Sequence, residues 1–252
     1  MEFFDSHAHY NDEKFEEDLN EVIAKIKQAK VTKVINAGYG LASSQKALEQ
    51  AKKYDFMYAI CGISPNDITE NCKEELKKIA QMNEAVAIGE IGLDYYWNKE
   101  NKDLQKEVFV EQIKIANKLN KPIVIHSRDA YIDTIEILKS NPVNKKGVFH
   151  CCQLNLELVK EAVSLGYYIS LAGPVTFKNA KNADEVIKLI PNDKLLIETD
   201  SPYLSPEPNR GKRNDSSNLI WIAKKIADAK GTKTEEIANI TYENTKRIFE
   251  IK

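Results

Sequence analysis

The four histidines of this 252-residue chain all stand at the ends of short apolar runs. His7 and His9 close the run that begins at Phe3, and His126 and His150 end two later runs. This arrangement leaves no histidine for a surface helix or a loop. Because imidazole nitrogen is a common ligand of Zn²⁺ and of other divalent transition-metal ions, the placement predicts a metal site.

Two acidic residues occupy the same kind of position. Glu90 ends the run that begins at Ala85, and Asp200 ends the run that begins at Leu195. The resulting six ligands are too many for one tetrahedral zinc ion but suit two ions about 3.5–4 Å apart that share a carboxylate. Glu90 is the natural bridge, because each of its oxygens can reach a different cation. A lone histidine at a strand end is more often a hydrogen-bonded structural residue; the joint placement favours the binuclear site.

Short apolar runs alternate with amphipathic segments along the whole chain. Strands are predicted near residues 3–7, 33–38, 57–62, 85–90, 122–126, 146–150, 167–171 and 195–200. Helices are predicted near residues 13–30, 41–54, 73–82, 102–120, 129–140, 156–165, 180–190, 216–230 and 234–249. This order predicts the α/β class and a single domain over residues 1–252, a (β/α)8 TIM barrel with an additional C-terminal helix.

The barrel explains why the ligands should meet, because the carboxyl ends of its strands form one face. The competing fold, an open doubly wound sheet, would carry a glycine-rich phosphate turn after the first strand, and residues 5–9 contain no glycine. The irregular stretch over residues 201–214 follows the last strand, so it is expected to lie over the mouth of the site.

Composition excludes several classes of protein. A formal net charge of -2 argues against a protein that coats nucleic acid through bulk charge, but not against an enzyme that binds one phosphate at a time. No apolar run approaches the roughly 20 residues that a membrane span needs. The first residues lack the basic start of a secretory signal, so we expect none. The cysteines at positions 61, 72, 151 and 152 show no metal or disulfide spacing, and we predict reduced thiols in a cytoplasmic protein. For Cys151 and Cys152, which follow His150, buried structural cysteines are favoured over zinc ligands.

Five motifs spread over nearly the whole chain carry a family resemblance. They are FDSHAH at 4–9, AIGEIGLDYY at 87–96, PIVIHSRDA at 122–130, ETDSPYL at 198–204 and NRGKRN at 209–214. The set resembles the TatD-type metal-dependent deoxyribonucleases of the amidohydrolase-like superfamily. Many amidohydrolases bridge their metals with a modified lysine, and the glutamate at position 90 favours the TatD branch.

The resemblance implies a division of the ligands between two divalent metal ions. One ion would be held by His7, His9, Glu90 and Asp200, and the other by Glu90, His126 and His150. Asp200 and Glu90 would be the catalytic residues, with Asp200 accepting a proton from the attacking water. Mg²⁺ or Mn²⁺ is the metal expected from the family, although an imidazole-rich site binds Zn²⁺ more tightly than Mg²⁺.

The resemblance also implies an activity, the hydrolysis of DNA phosphodiester bonds, with single strands shortened from the 3′ end. One alternative is a binuclear amidohydrolase-like esterase or deacylase, for example one acting on an aminoacyl bond of transfer RNA. Another is a non-catalytic metal-binding protein. The basic residues at 210–213 and the absence of a lysine bridge favour phosphodiesters. The expected partner is DNA rather than a membrane, and the sequence leaves the oligomeric state open, with a monomer as the default expectation.

Three departures from the family pattern leave the preferred substrate open. The family usually has Gly-x-His-Pro-His after the third strand, where this chain places Ser64 and Asn66. Both can hydrogen-bond a phosphate, but neither carries a positive charge. After His150 the chain reads Cys-Cys-Gln-Leu, and after Asn214 it reads Asp-Ser, where the family tends to have Cys-Phe-Ser/Thr-Gly and Glu-Pro.

The remaining candidates are residues that could bind substrate or orient ligands. Arg128 can fork onto phosphate oxygens, or equally form a salt bridge with a nearby acid. Arg210, Lys212 and Arg213 could hold a second phosphate, or be a solvated part of the loop. Stacking of unpaired bases is possible for Tyr95, Tyr96, Trp97 and Tyr203, with core or lid packing as the alternative. Asp94 and Glu198 are predicted to orient metal ligands through hydrogen bonds.

Overall fold

Eight parallel strands follow one another in chain order in the computed structural model, which describes all residues 1–252. The strands are β1 Phe3–Ala8, β2 Val31–Ala37, β3 Met57–Cys61, β4 Ala87–Asp94, β5 Ile123–Arg128, β6 Gly147–Phe149, β7 Tyr168–Leu171 and β8 Leu195–Ile197. Each strand pairs in parallel with the next. The ring closes where the Asp200 amide donates to the His7 carbonyl at 2.9 Å and the His9 amide donates to the Ser201 carbonyl at 2.7 Å.

Nine helices surround this barrel. They are α1 Leu19–Gln28, α2 Leu41–Lys53, α3 Cys72–Ile79, α4 Lys102–Leu119, α5 Tyr131–Ser140, α6 Leu156–Ser164, α7 Ala183–Leu189, α8 Leu219–Lys230 and α9 Thr234–Phe249. The predicted (β/α)8 barrel and its additional C-terminal helix are confirmed. None of these helices combines the length and the apolar character that crossing a membrane requires.

Alternate strand residues face the barrel interior and the helices, which explains why the strands are apolar throughout. Val124 and Val148 belong to an inner cluster that also contains Ile248 and Phe249 at the end of α9. The neighbouring Ile125 packs instead in the large cluster shared with the helices. His126 and His150 stand two residues beyond the two valines, on the same inward face. The inner core therefore packs inside the barrel next to the candidate ligands, and the end of α9 packs against this core.

Two boundaries differ from the prediction by more than three residues. The first helix begins at Leu19 rather than near residue 13, because Phe15 is buried against Tyr10 in a separate short turn. β4 continues to Asp94 past the predicted end at Glu90. Gly92 makes this extension possible: at its φ of 141° a side chain would be strained, and a Cβ there would lie 2.0 Å from the His126 carbonyl oxygen.

Candidate metal centre

The six predicted ligands converge in one cluster at the carboxyl ends of the strands, with Glu90 between two pairs of histidines. Glu90 Oε2 lies 3.3 Å from His7 Nε2 and 3.7 Å from His9 Nε2. The same oxygen is 3.6 Å from His150 Nε2, and Oε1 is 3.6 Å from His126 Nδ1. The fold therefore places the Glu90 carboxylate between the two histidine pairs, the position from which it could bridge two ions.

These spacings fit bound cations. Asp200 Oδ1 is 3.3 Å from His9 Nε2, and the Nε2 atoms of His7 and His9 are 3.2 Å apart. Two atoms that each lie about 2.1 Å from one ion stand roughly 3.0–3.5 Å apart at octahedral or tetrahedral angles. Three overlapping groups have ligand atoms that all lie within 4.8 Å of one another: His7 with His9 and Glu90; Glu90 with His126 and His150; and His7 with His150 and Asp200. The donor set thus suits a binuclear divalent-metal site.

Hydrogen bonds behind the cluster select which ring nitrogen each histidine presents. His9 Nδ1 donates to the Ala37 carbonyl at 2.9 Å, which leaves Nε2 free to ligate. His126 is reversed, because its Nε2 bonds Asp94 Oδ2 at 2.9 Å and its Nδ1 faces Glu90. His150 Nδ1 lies 3.4 Å from Glu198 Oε1. Asp94 and Glu198 thus stand where the sequence predicted ligand-orienting carboxylates.

Charge within the cluster is tightly coupled. Burial alone would raise the pKa of the Glu90 carboxyl, but His150, His7 and His126 beside it hold that pKa well below its usual value. Burial disfavours the charged ring of His150, yet Glu90 and Glu198 raise its pKa to about 9. The anionic carboxylate of Glu90 therefore lies beside the protonated ring of His150, and a divalent cation can take the place of that positive charge.

Metal uptake is accordingly expected to release protons at neutral pH. The pKa of His150 is raised to about 9, so its ring carries a proton below that pH, and a metal ligand must be neutral. Apparent affinity for Mn²⁺ or Zn²⁺ should therefore rise as the pH increases towards about 9 and level off above it. Calorimetric titration in buffers of different ionisation enthalpy measures the release. Identical apparent enthalpies in all buffers at neutral pH would contradict this expectation.

Asp94 links the cluster to the surface. Its Oδ2 accepts from His126 and from Asn66 Nδ2 at 3.1 Å, and its Oδ1 accepts the backbone N–H groups of Tyr96 and Trp97 at 2.9 Å each. Burial would raise the pKa of this carboxyl, but the His126 and Trp97 hydrogen bonds lower it to about 2. Asp94 is therefore ionised throughout the physiological range and holds the ring of His126 in a fixed orientation.

Asp94→Asn is expected to weaken metal binding on the His126 side about 10- to 100-fold, because the ring loses the charged acceptor that fixes its tautomer. Titration of the metal-free protein with Mn²⁺, followed by calorimetry, measures the change. Asp103→Asn on the exposed start of α4 is the matched control. Equal affinities in the two variants would show that Asp94 does not orient a metal ligand.

The cluster opens into a cavity of about 850 Å³. Four of the predicted substrate-binding residues line it: Ser64, Asn66, Arg128 and Tyr203. Sequence reasoning missed Tyr39 and Asp67, which also belong to the wall. Tyr39 could have been found, because it follows the carboxyl end of β2 by two residues, just as His9 and His150 follow the ends of β1 and β6.

Each of these four residues has a defined local setting. Ser64 is buried, and the Asn66 side-chain amide is engaged by Asp94. The Tyr203 hydroxyl donates to Asp12 Oδ2 at 2.6 Å. Arg128 takes part in none of the ion pairs of the chain, so the salt-bridge alternative is wrong. Its guanidinium lies 4.0 Å from the centroid of the Tyr96 ring.

The basic residues at 210–213 do not reach the cavity wall. Arg213 pairs with Asp18 at 3.0 Å, and the Arg210 guanidinium lies 4.1 Å from the centroid of the Phe177 ring. Lys212 is exposed, with its ammonium 3.4 Å from Asn209 Oδ1. The loop that carries them is held at its end by Asn214, whose side chain donates to the carbonyls of Thr199 and Tyr203. The loop covers the mouth through Tyr203 rather than through these cations.

The prediction that Cys151 and Cys152 are both buried is wrong for Cys151. This residue is partly exposed, has a φ of 39° and lines the cavity together with Cys152. Strand alternation does not apply to it because β6 already ends at Phe149. Its backbone N–H donates to Glu198 Oε1 at 2.6 Å. Although part of the residue is exposed, desolvation of its thiol raises the pKa well above the usual value, so the thiol is neutral.

The fold and the site together define the class of protein as a metal-dependent hydrolase. The fold is a (β/α)8 barrel, and the site is a compact cluster of imidazoles and carboxylates at the carboxyl ends of its strands. The family model described as TatD related DNase matches residues 4–250. The chain belongs to this TatD-related family of metal-dependent hydrolases.

Individual relatives agree with the family. The uncharacterized metal-dependent hydrolase YabD of Bacillus subtilis (strain 168) is 46% identical over 252 residues, with 98% of this chain and 99% of that protein covered. The uncharacterized metal-dependent hydrolase YcfH of Escherichia coli (strain K12) is 37% identical, with 100% and 97% covered. The crystal structure of YJJV, a TatD homolog from Escherichia coli K12, has a TM-score of 0.93 at 26% identity and covers 99% of this chain and 98% of its own.

Proposed function

We propose that this protein hydrolyses phosphodiester bonds of DNA and shortens single strands from the 3′ end, acting in the cytoplasm as one domain over residues 1–252. The observation that carries the proposal is the cluster around Glu90 and its opening into a cavity whose wall holds an arginine without a carboxylate partner. The family description supports DNA as the substrate. The 3′ polarity rests on the family resemblance.

The ligand atoms fit a pair of divalent ions, which would be held by His7, His9, Glu90 and Asp200 on one side and by Glu90, His126 and His150 on the other. When bound, the ions would lower the pKa of a water molecule and neutralise charge on the phosphate oxygens.

Asp200 is the residue that we propose accepts the proton of the attacking water. Burial would raise the pKa of its carboxyl, but the hydrogen bond and charge of His9 lower it, so the group is ionised and able to act as a base. The backbone at Asp200 is left-handed, with a φ of 55°, and is fixed by the hydrogen bond from its amide to the His7 carbonyl. Such strain is common where a fold positions a reactive group.

Arg128 is the residue that we propose holds a phosphate of the substrate. Its side chain lines the cavity two residues beyond His126 on the same strand. A guanidinium presents a planar set of donors that matches two phosphate oxygens at once, and here no carboxylate occupies those donors. Ser64, which lines the same cavity, could add a neutral donor.

Purified protein incubated with Mg²⁺, Mn²⁺ or Zn²⁺ and with single-stranded DNA labelled at the 5′ end tests the activity. We expect a ladder of progressively shorter labelled products, whereas a 3′ label should appear at once as a mononucleotide. Parallel reactions contain RNA of the same sequence and an aminoacyl ester. Turnover of the ester with intact DNA would favour the deacylase, and no turnover of any substrate would favour a non-catalytic metal-binding protein.

A further inference from the structure

We propose that Tyr96, Trp97 and Arg128 form a subsite for one unpaired nucleobase and its phosphate beside the metal centre. We refer to Tyr96 and Trp97 as the aromatic platform. The inference rests on the proposed function, because it specifies the part of a DNA strand that this cavity would bind.

The platform consists of two aromatic rings that belong to neither of the hydrophobic core clusters. Trp97 is 68% exposed and Tyr96 is 47% exposed. Their rings meet edge to face at 4.8 Å between centroids and an interplanar angle of 88°. Neighbouring exposed aromatic rings are unusual on a protein surface and indicate a binding role. An indole face open to solvent suits a nucleobase, since every base has a flat π-face.

Arg128 adds the charge that a nucleotide requires. Its guanidinium lies 4.0 Å from the Tyr96 ring centroid and 5.5 Å from that of Trp97. Stacking on an aromatic ring occupies the flat face of a guanidinium and leaves the N–H groups at its edge available. A base over Trp97 and a phosphate on the edge of Arg128 are therefore compatible with each other.

The position of the platform relates it to the reacting phosphate. Trp97 and Arg128 line the same cavity as Glu90 and His126. Arg128 follows His126 by two residues, which is about 6.6 Å along a strand. Asp94 connects the metal centre to the platform directly. One of its carboxylate oxygens accepts a hydrogen bond from the His126 ring, and the other accepts hydrogen bonds from the backbone N–H groups of Tyr96 and Trp97. A base bound there would lie about one nucleotide from the metal centre.

This geometry predicts a preference for unpaired ends. A base within a duplex already stacks on both neighbours, so it must leave the helix before it can cover the indole of Trp97. Base–aromatic stacking changes binding by about 5- to 150-fold per base. The platform would therefore act on KM for single-stranded DNA rather than on the chemical step.

Trp97→Ala is expected to raise KM for a single-stranded oligonucleotide about 5- to 150-fold with little change in kcat, and Trp97→Phe should recover most of the loss. Trp221→Ala is the matched control, because Trp221 is 36% exposed on α8 and does not line the cavity. On an oligonucleotide that is abasic at its 3′ end, Trp97→Ala should equal the parent protein. An unchanged KM, or the same loss on the abasic strand, would overturn the proposal.

A binding measurement separates this inference from the proposed function. Trp221→Phe leaves Trp97 as the single tryptophan, since the chain has two. Its fluorescence should be quenched by short oligothymidylate in EDTA, and not by inorganic phosphate or by blunt duplex DNA. Quenching without DNA cleavage by the parent would refute the nuclease activity while supporting the platform. Cleavage by the parent without quenching would refute the platform alone.

Discussion

Glu90→Gln is expected to abolish DNA hydrolysis, with kcat falling about 10³-fold or more, and to lower the bound metal from two ions per chain. The carboxylate lies within 3.7 Å of ring nitrogens of His7 and His9 and also faces the other histidine pair. An amide of the same shape supplies no negative charge and has one coordinating oxygen. It can therefore neither bridge two cations nor balance their charge.

Metal content after dialysis, measured by mass spectrometry, and turnover of end-labelled DNA test this variant. Glu111→Gln on the exposed face of α4 provides the control for a lost carboxylate far from the cavity. Thermal unfolding of both variants establishes that each is folded. A Glu90→Gln protein that keeps two ions and full activity would contradict the bridging role.

Asp200→Asn is expected to lower kcat about 10²- to 10⁴-fold with little change in KM, because the variant keeps the shape of the side chain but loses the proton acceptor. The pKa of the native carboxyl lies below its usual value, so the native base is active from weakly acidic pH upwards. In the Asp200→Asn variant, which lacks this base, the residual rate should rise continuously with pH, because hydroxide from solution must replace the activated water.

Profiles of kcat against pH for the parent and the variant measure this change. Asp67→Asn is a suitable control, because Asp67 is another acid in the cavity wall but has no ligand atom in the cluster. It should keep most of the activity and the shape of the parent profile. Equal losses in the two variants would show that only the negative charge of the cavity matters, and not a base at position 200.

The sequence alone was sufficient to predict the barrel and the meeting of its candidate metal ligands at one end of it. His126 and His150 each end a short apolar run, and such runs alternate with helical segments in a regular order. Parallel strands joined by helices bring all their carboxyl ends to one face, so residues far apart in the chain must meet there. The fold followed from this local information, the family was suggested by the resemblance of five sequence motifs, and both are confirmed.

The settings of individual side chains were not available from the sequence. Arg128 and Arg213 are both basic and both lie within a family motif. Arg213 nevertheless pairs with Asp18, whereas the guanidinium of Arg128 lies over the Tyr96 ring beside the cavity. Asp18 is nearly 200 residues away in the chain. Cys151 was misplaced for a similar reason, because the exact end of β6 depends on pairing with its neighbours.

What the sequence determined by itself was the order of elements, the six residues at the strand ends and the family to which they belong. The tertiary structure decided that His126 presents Nδ1 and His9 presents Nε2, because their partners are Asp94 and the Ala37 carbonyl. It also decided that Asp94 joins the metal centre to Trp97. Residue types and spacing are local properties of the chain, whereas the orientation of a ring and the partner of a charge depend on atoms that only folding brings together.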